Sequence, residues 1–169
     1  KLKEIQSMIE VCSGLYMEAA TNTQYAVQGD TLKVVTLINN RLGVNAHTFN
    51  KNSPYVAIDL KKNLNRTDTS FINIKPDEKL TQPYWLDSTM DKGSFNVVDQ
   101  QLIGKAENDP LHLDFAVTIE GIDFVFKIPI RYKFTDPIKG EIYQPVYITP
   151  SFVGKFLPEI EIFTGPLNQ

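Results

Sequence analysis

Leu111-His112-Leu113-Asp114-Phe115-Ala116-Val117-Thr118-Ile119-Glu120-Gly121-Ile122-Asp123-Phe124-Val125-Phe126-Lys127-Ile128-Pro129-Ile130 decides the fold class. Leu111, Leu113, Phe115, Val117 and Ile119 alternate with His112, Asp114, Ala116, Thr118 and Glu120. After Glu120-Gly121 the alternation resumes in Ile122, Phe124, Phe126, Ile128 and Ile130. Successive strand side chains point to opposite faces, so each run presents one apolar face. Two such runs joined by two residues, one a glycine, predict a β-hairpin. Leu113, Phe115, Val117, Ile119, Phe124, Phe126 and Ile128 are therefore expected to be buried together. Pro129 has no backbone donor, which predicts an edge or a bulge on the second arm.

The same period continues outward. Residues 24–27, 32–39, 44–49, 55–60, 70–75 and 142–149 read as strands, and Gly29-Asp30 as a turn. Leu32, Val34 and Ile38 oppose Val35 and Leu37, so residues 32–39 are expected to be covered on both faces. Residues 39–43 and the polar stretch 61–68 read as loops. The connection 76–110 is long for a structureless loop, and residues 95–103 are expected to form a short strand pair inside it. Before the strands, Leu2, Ile5, Ile9, Cys12, Tyr16 and Ala19 recur at three- and four-residue steps. Met8 and Leu15 widen that stripe. It predicts a helix over residues 2–19, with Cys12 a packed thiol, that lies either on the strands or, alternatively, on a domain outside this segment, which would leave Ile5, Ile9, Cys12 and Tyr16 exposed here. Isolated helices of that length are marginal in water.

These elements imply an all-β fold: an immunoglobulin-like antiparallel β-sandwich preceded by one N-terminal α-helix. The expected division is a linker helix over 1–22, a β-sandwich domain over 23–150, and the start of a following segment or tail over 151–169. The chain reads as a segment of a longer protein.

Composition excludes more than it assigns. A formal charge of −3 over 169 residues, with no basic stripe, argues against nucleic-acid binding. No run approaches the ~18–20 apolar residues of a membrane-spanning helix. A single cysteine, Cys12, excludes an internal disulfide and any zinc site built on several cysteines. His47 and His112, the two histidines, have no nearby partner at metal-ligand spacing. Asn63, Asn65 and Asp68 offer only a sparse oxygen set for calcium. Asp114 and Glu120 share a strand face but stand roughly 20 Å apart along it, too far for a glycosidase pair. There is no Gly-x-Ser-x-Gly nucleophile and no phosphate loop. No catalytic residue, metal ligand or cofactor is assigned in this segment.

Gln82-Pro83-Tyr84-Trp85-Leu86 is the most singular feature. Tyr84 and Trp85 are candidate ligand-contacting residues. They read either as aromatics packed over the open end of a sandwich or as a platform for sugar rings. A buried Trp85 would favour the first reading, and a solvent-facing one beside a shallow groove the second.

Several stretches carry a resemblance. They are Val11-Cys12-Ser13-Gly14-Leu15-Tyr16-Met17-Glu18-Ala19, Val27-Gln28-Gly29-Asp30, Ile38-Asn39-Asn40-Arg41 and Gln82-Pro83-Tyr84-Trp85-Leu86. Leu102-Ile103-Gly104-Lys105-Ala106-Glu107-Asn108 follows, then Tyr132-Lys133-Phe134-Thr135-Asp136-Pro137-Ile138-Lys139-Gly140-Glu141-Ile142-Tyr143-Gln144-Pro145. In that order they resemble the region after the catalytic domain in the large PIG-L/LmbE-like deacetylases of Bacteroidetes-type bacteria, over most of the chain. That family removes N-acetyl groups from amino-sugar conjugates with zinc. Its ligands come from a His-Pro-Asp-Asp box and a later His-x-x-His box in an α/β domain, and neither box occurs here. The resemblance therefore implies a non-catalytic accessory module that serves domain packing or substrate presentation. Its implied partner is the catalytic domain of the same parent chain, met through the N-terminal helix. The alternative is a carbohydrate-binding module using Tyr84 and Trp85. The family's frequent export implies a periplasmic or extracellular location.

Overall fold

The expected hairpin is present in the computed structural model, which describes residues 2–50, 53–105 and 110–154. Its arms are β7 (His112–Ile119) and β8 (Ile122–Asp136). Glu120 and Gly121 have φ of 48° and 79°, both left-handed. That pair of angles makes the tight turn whose twist matches the flanking strands. Across the hairpin Leu113 faces Ile128, Phe115 faces Phe126 and Val117 faces Phe124. Val117, Ile119, Phe126 and Ile128 are buried, while Leu113, Phe115 and Phe124 are half-buried against them.

The remaining strands are β1 (Leu15–Thr21), β2 (Tyr25–Val27), β3 (Thr31–Asn40), β4 (Ala46–Asn50), β5 (Ser53–Asp59), β6 (Asn65–Asn73), β9 (Gly140–Pro145) and β10 (Tyr147–Thr149). The chain is mostly β, with one N-terminal helix, α1 (Leu2–Ser13), and a curled mixed sheet. Eight strands run in the order β5-β4-β7-β8-β1-β3-β6, with β9 also on β8. β2 and β10 form a separate parallel pair.

β8 joins the two halves of this sheet. Its first half pairs with β7 as far as Pro129. Residues 130–132 then run parallel to β1, and residues 131–136 run antiparallel to β9. Pro129 thus sits where the strand exchanges partners, a place where a missing donor is tolerated. The buried side chains of both halves, including Met17, Val34, Val117, Phe126 and Ile130, form one core cluster.

Five expectations are corrected. The helix stops at Ser13 rather than continuing to residue 19. Gly14, at φ 67°, breaks it, and Leu15, Met17 and Ala19 then turn inward with strand period. Residues 15–21 pair with β3 and β8 and so belong to the sheet, not to a linker helix. β3 is covered on one face only: Val35 is exposed and Leu37 half-buried. The outer face of this part of the sheet looks at solvent. The polar stretch expected as a loop carries the start of β6, which pairs with β3 from Asn65 onward. As an edge strand it is polar on its outer face, and the apolar alternation that marks inner strands is missing there. Residues 95–103 form no strand pair. Gln100–Leu102 is a 3-10 turn, capped by the Asp99 side chain accepting from the Gln101 N–H at 2.9 Å. Residues 155–169, the larger part of the expected following segment, lie outside the described residues.

The fifth correction concerns α1. Among the described apolar side chains of α1, only Ile9 packs against the core. Ile5, Met8 and Val11 are 53%, 65% and 75% exposed. Cys12 is exposed as well, rather than a packed thiol.

Candidate functional site

Tyr84 and Trp85 open a 3-10 turn, Tyr84–Leu86, in the long connection before β7. The turn is tied down locally. The Asp87 carboxylate accepts from Gln82 Nε2 at 3.1 Å and pairs with Lys79 at 2.9 Å. The Thr81 hydroxyl oxygen accepts from the Ile148 N–H at 2.8 Å, which fastens the segment to β10. Tyr84 and Trp85 are both half-buried. Their rings meet edge to face, 4.9 Å between centroids and 87° between planes. Trp85 is thus neither sealed in a core nor laid open on a groove. The concavity formed by the same segment, about 280 Å³, is lined by Lys79, Thr81, Gln82, Asp87 and Ile148, not by either ring.

The histidines do not assemble a metal centre. His47 lies opposite Thr118 on β7, and His112 starts that same strand. The two positions on β7 are separated by roughly 20 Å of extended chain. Among the described residues no three His, Cys, Asp or Glu side chains converge.

The densest polar cluster sits on the outer face of the sheet, across β1, β8 and β9. Glu18 is its centre, with its side chain 13% exposed. Tyr16 and Tyr143 each donate a hydroxyl to Glu18 Oε2 at 2.7 Å. Lys133 Nζ donates to Glu18 Oε1 at 3.2 Å and also pairs with Glu141 at 3.1 Å. The Arg41 guanidinium caps the Tyr16 ring at 4.4 Å. Burial pushes the Glu18 carboxyl up, but the hydrogen bonds from Tyr16, Tyr143 and Lys133 outweigh it and hold Glu18 below its ordinary value. The bond to Glu18, helped by burial, raises Tyr16 well above the usual phenol range. Burial, together with Glu18, also raises Tyr143. The Tyr143 hydroxyl holds Lys133 above its ordinary value against burial, helped by the Glu141 and Glu18 carboxylates. Glu18 and Lys133 are thus held charged, and Tyr16 and Tyr143 neutral, at neutral pH. Such a cluster ties β1, β8 and β9 together across the outer face of the sheet.

The helix expected over residues 2–19 hides this cluster in the sequence, because it includes Tyr16 and Glu18. The signal available was the alternation of Tyr16 and Glu18 with Leu15, Met17 and Ala19, which puts both polar side chains on one strand face.

Comparison with known proteins returned nothing: no family model, no curated protein and no solved structure matches the chain.

Proposed function

We propose that this chain is a non-catalytic accessory domain with an immunoglobulin-like sandwich, packed through α1 against the catalytic domain of a PIG-L/LmbE-like zinc-dependent N-acetyl-sugar deacetylase. The parent acts in the periplasm or outside the cell. The carrying observation is the bare face of α1, where Ile5, Met8, Val11 and Cys12 stand exposed in neighbouring turns. A helix of twelve residues is marginal alone and draws its stability from packing an apolar face. Of the described apolar side chains of α1, the chain's own strands cover only Ile9; Glu10 is half-buried and Ser13 buried at its end. The resemblance puts this helix at the junction with the catalytic domain, which supplies the missing cover. The sandwich reading is supported by the partner exchange of β8 and by the single core cluster shared by both halves of the sheet. Sugar binding through Tyr84 and Trp85 gains no specific observation, since the rings pack on each other.

The paired substitution Met8→Glu and Val11→Glu separates this role from a structural one. In the 169-residue chain it should change unfolding free energy by no more than about 0.5 kcal/mol, because both side chains face solvent. In the parent protein it should loosen the junction, seen as faster proteolytic cleavage between the two domains. An unchanged cleavage rate in the parent would overturn the proposal.

A further inference from the structure

A second feature is bounded by β3, β4, β6 and β7. Between β6 and the strands β4 and β7 the molecule leaves a concavity of about 220 Å³. β4 follows β7 only from Ala46 to Thr48; beyond that, at Phe49 and Asn50, its pairing with β5 shifts register. The gap is lined by Ile38, Phe49, Leu113 and Phe115 together with Arg66, Asp68 and Asp114.

The polar groups here have capacity to spare. Among the described residues Arg66 is half-buried and has no hydrogen-bond or ion-pair partner, which leaves a full set of guanidinium donors. Asp114 likewise makes no side-chain bond among the described residues. Asp68 uses Oδ1 to accept from the Thr69 N–H and keeps Oδ2 free. The hydroxyls of Thr36 and Thr48, also in the lining, donate to the Asp68 and Ala116 carbonyls, so their oxygens remain as acceptors.

We infer that this gap is a binding site for a neutral, hydroxyl-rich ring of monosaccharide size. An anion would meet Arg66 but also two carboxylates. A cation would meet the carboxylates but also the guanidinium. A hydroxyl both donates and accepts, so a polyol satisfies Arg66 and Asp68 in the gap and Asp114 at its exposed rim, while its C–H face rests on Leu113 and Phe115, which share one face of β7. The volume suits a ligand of about a dozen heavy atoms, smaller than the ~300–1,000 Å³ sites of drug-sized molecules. This site is independent of the α1 junction.

Titration of the isotope-labelled 169-residue chain with D-glucose, D-galactose and D-mannose, followed by amide NMR, tests it. The expected result is saturable shifts, with at least one of the three, at residues 36–38, 48–49, 66–68 and 113–116. Arg66→Met keeps the apolar stem and removes the donors; it should weaken that binding by about tenfold or more, the effect of losing a charge-assisted bond. Asp114→Asn, at an exposed position, should weaken it less and leave the remaining spectrum unchanged. No saturable shift with any of the three sugars would overturn the proposal, and so would undiminished binding by a folded Arg66→Met variant. Stronger binding of glucosamine or glucuronate than of the neutral sugars would overturn the assigned ligand class.

Discussion

Replacing Ile130 with alanine should destabilise the chain by about 2–5 kcal/mol, among the largest effects of any single side chain. Ile130 is fully buried, at 0% exposure. It sits where β8 leaves β7 for β1, opposite Ala19, and its N–H donates to the Leu111 carbonyl at 2.9 Å. A cavity there would open between the two halves of the sheet, where neither half can collapse without disturbing the other. Ile130→Val, which removes one methylene, should cost only about 0.5–1.5 kcal/mol. Denaturant unfolding measures both. A loss under about 1 kcal/mol for Ile130→Ala would mean that the two halves do not share one core.

Asn40→Ala should cost about 3 kcal/mol, through hydrogen bonding rather than volume. Asn40 is 1% exposed at the end of β3. Its Nδ2 donates to the Val44 and Leu60 carbonyls, each at 2.8 Å, and its Oδ1 accepts from the Gly43 N–H at 2.8 Å. Alanine would strand three backbone groups, and each costs roughly 1–3 kcal/mol where water cannot reach it. Asn40→Asp should be at least as damaging, because it points a carboxylate at two carbonyl oxygens. Thermal and denaturant unfolding of both variants checks this. If Asn40→Ala lost less than about 1 kcal/mol, water would be replacing the amide.

The two sites differ in how far the sequence announced them. Ile130 was legible as the last apolar residue of an alternating run, and Pro129 marked the interruption beside it. Asn40 was not, since an asparagine before Arg41-Leu42-Gly43 looks like any loop residue. Its partner Leu60 lies twenty positions away and reaches it only after β5 has folded back. The hairpin was readable because two local signals agreed, strict alternation and a turn that tolerates positive φ. Residues 15–19 carried two periods at once. Tyr16 and Ala19 continue the helical stripe, whereas Leu15, Met17 and Ala19 alternate. Pairing with β3 and β8 decided between them, and that choice is tertiary. β6 was misread at its start because an edge strand has no second neighbour to demand apolar residues.

The Glu18 cluster was invisible for a related reason. Lys133 and Tyr143 stand 115 and 125 residues from Glu18 in the chain. They come together only because β8 changes partners after Pro129. Tyr84 and Trp85 were found readily as unusual residues, but their rarity said nothing about exposure. The structure leaves them half-buried and edge to face. The gap beside Arg66 could not be read at all, because it exists only where β4 stops following β7.

The role of α1 as a docking element is tested most directly by amide hydrogen exchange over residues 5–12. The comparison is between the 169-residue chain and the longest reading frame that carries it. In the shorter chain these amides should exchange fast, because Ile9 is the one described apolar side chain of α1 packed on the core, while β1 at residues 15–21 stays protected between β3 and β8. In the longer protein residues 5–12 should become protected, with β1 unchanged. Equally fast exchange of residues 5–12 in both would contradict docking through α1, and so would a reading frame that holds no second folded domain.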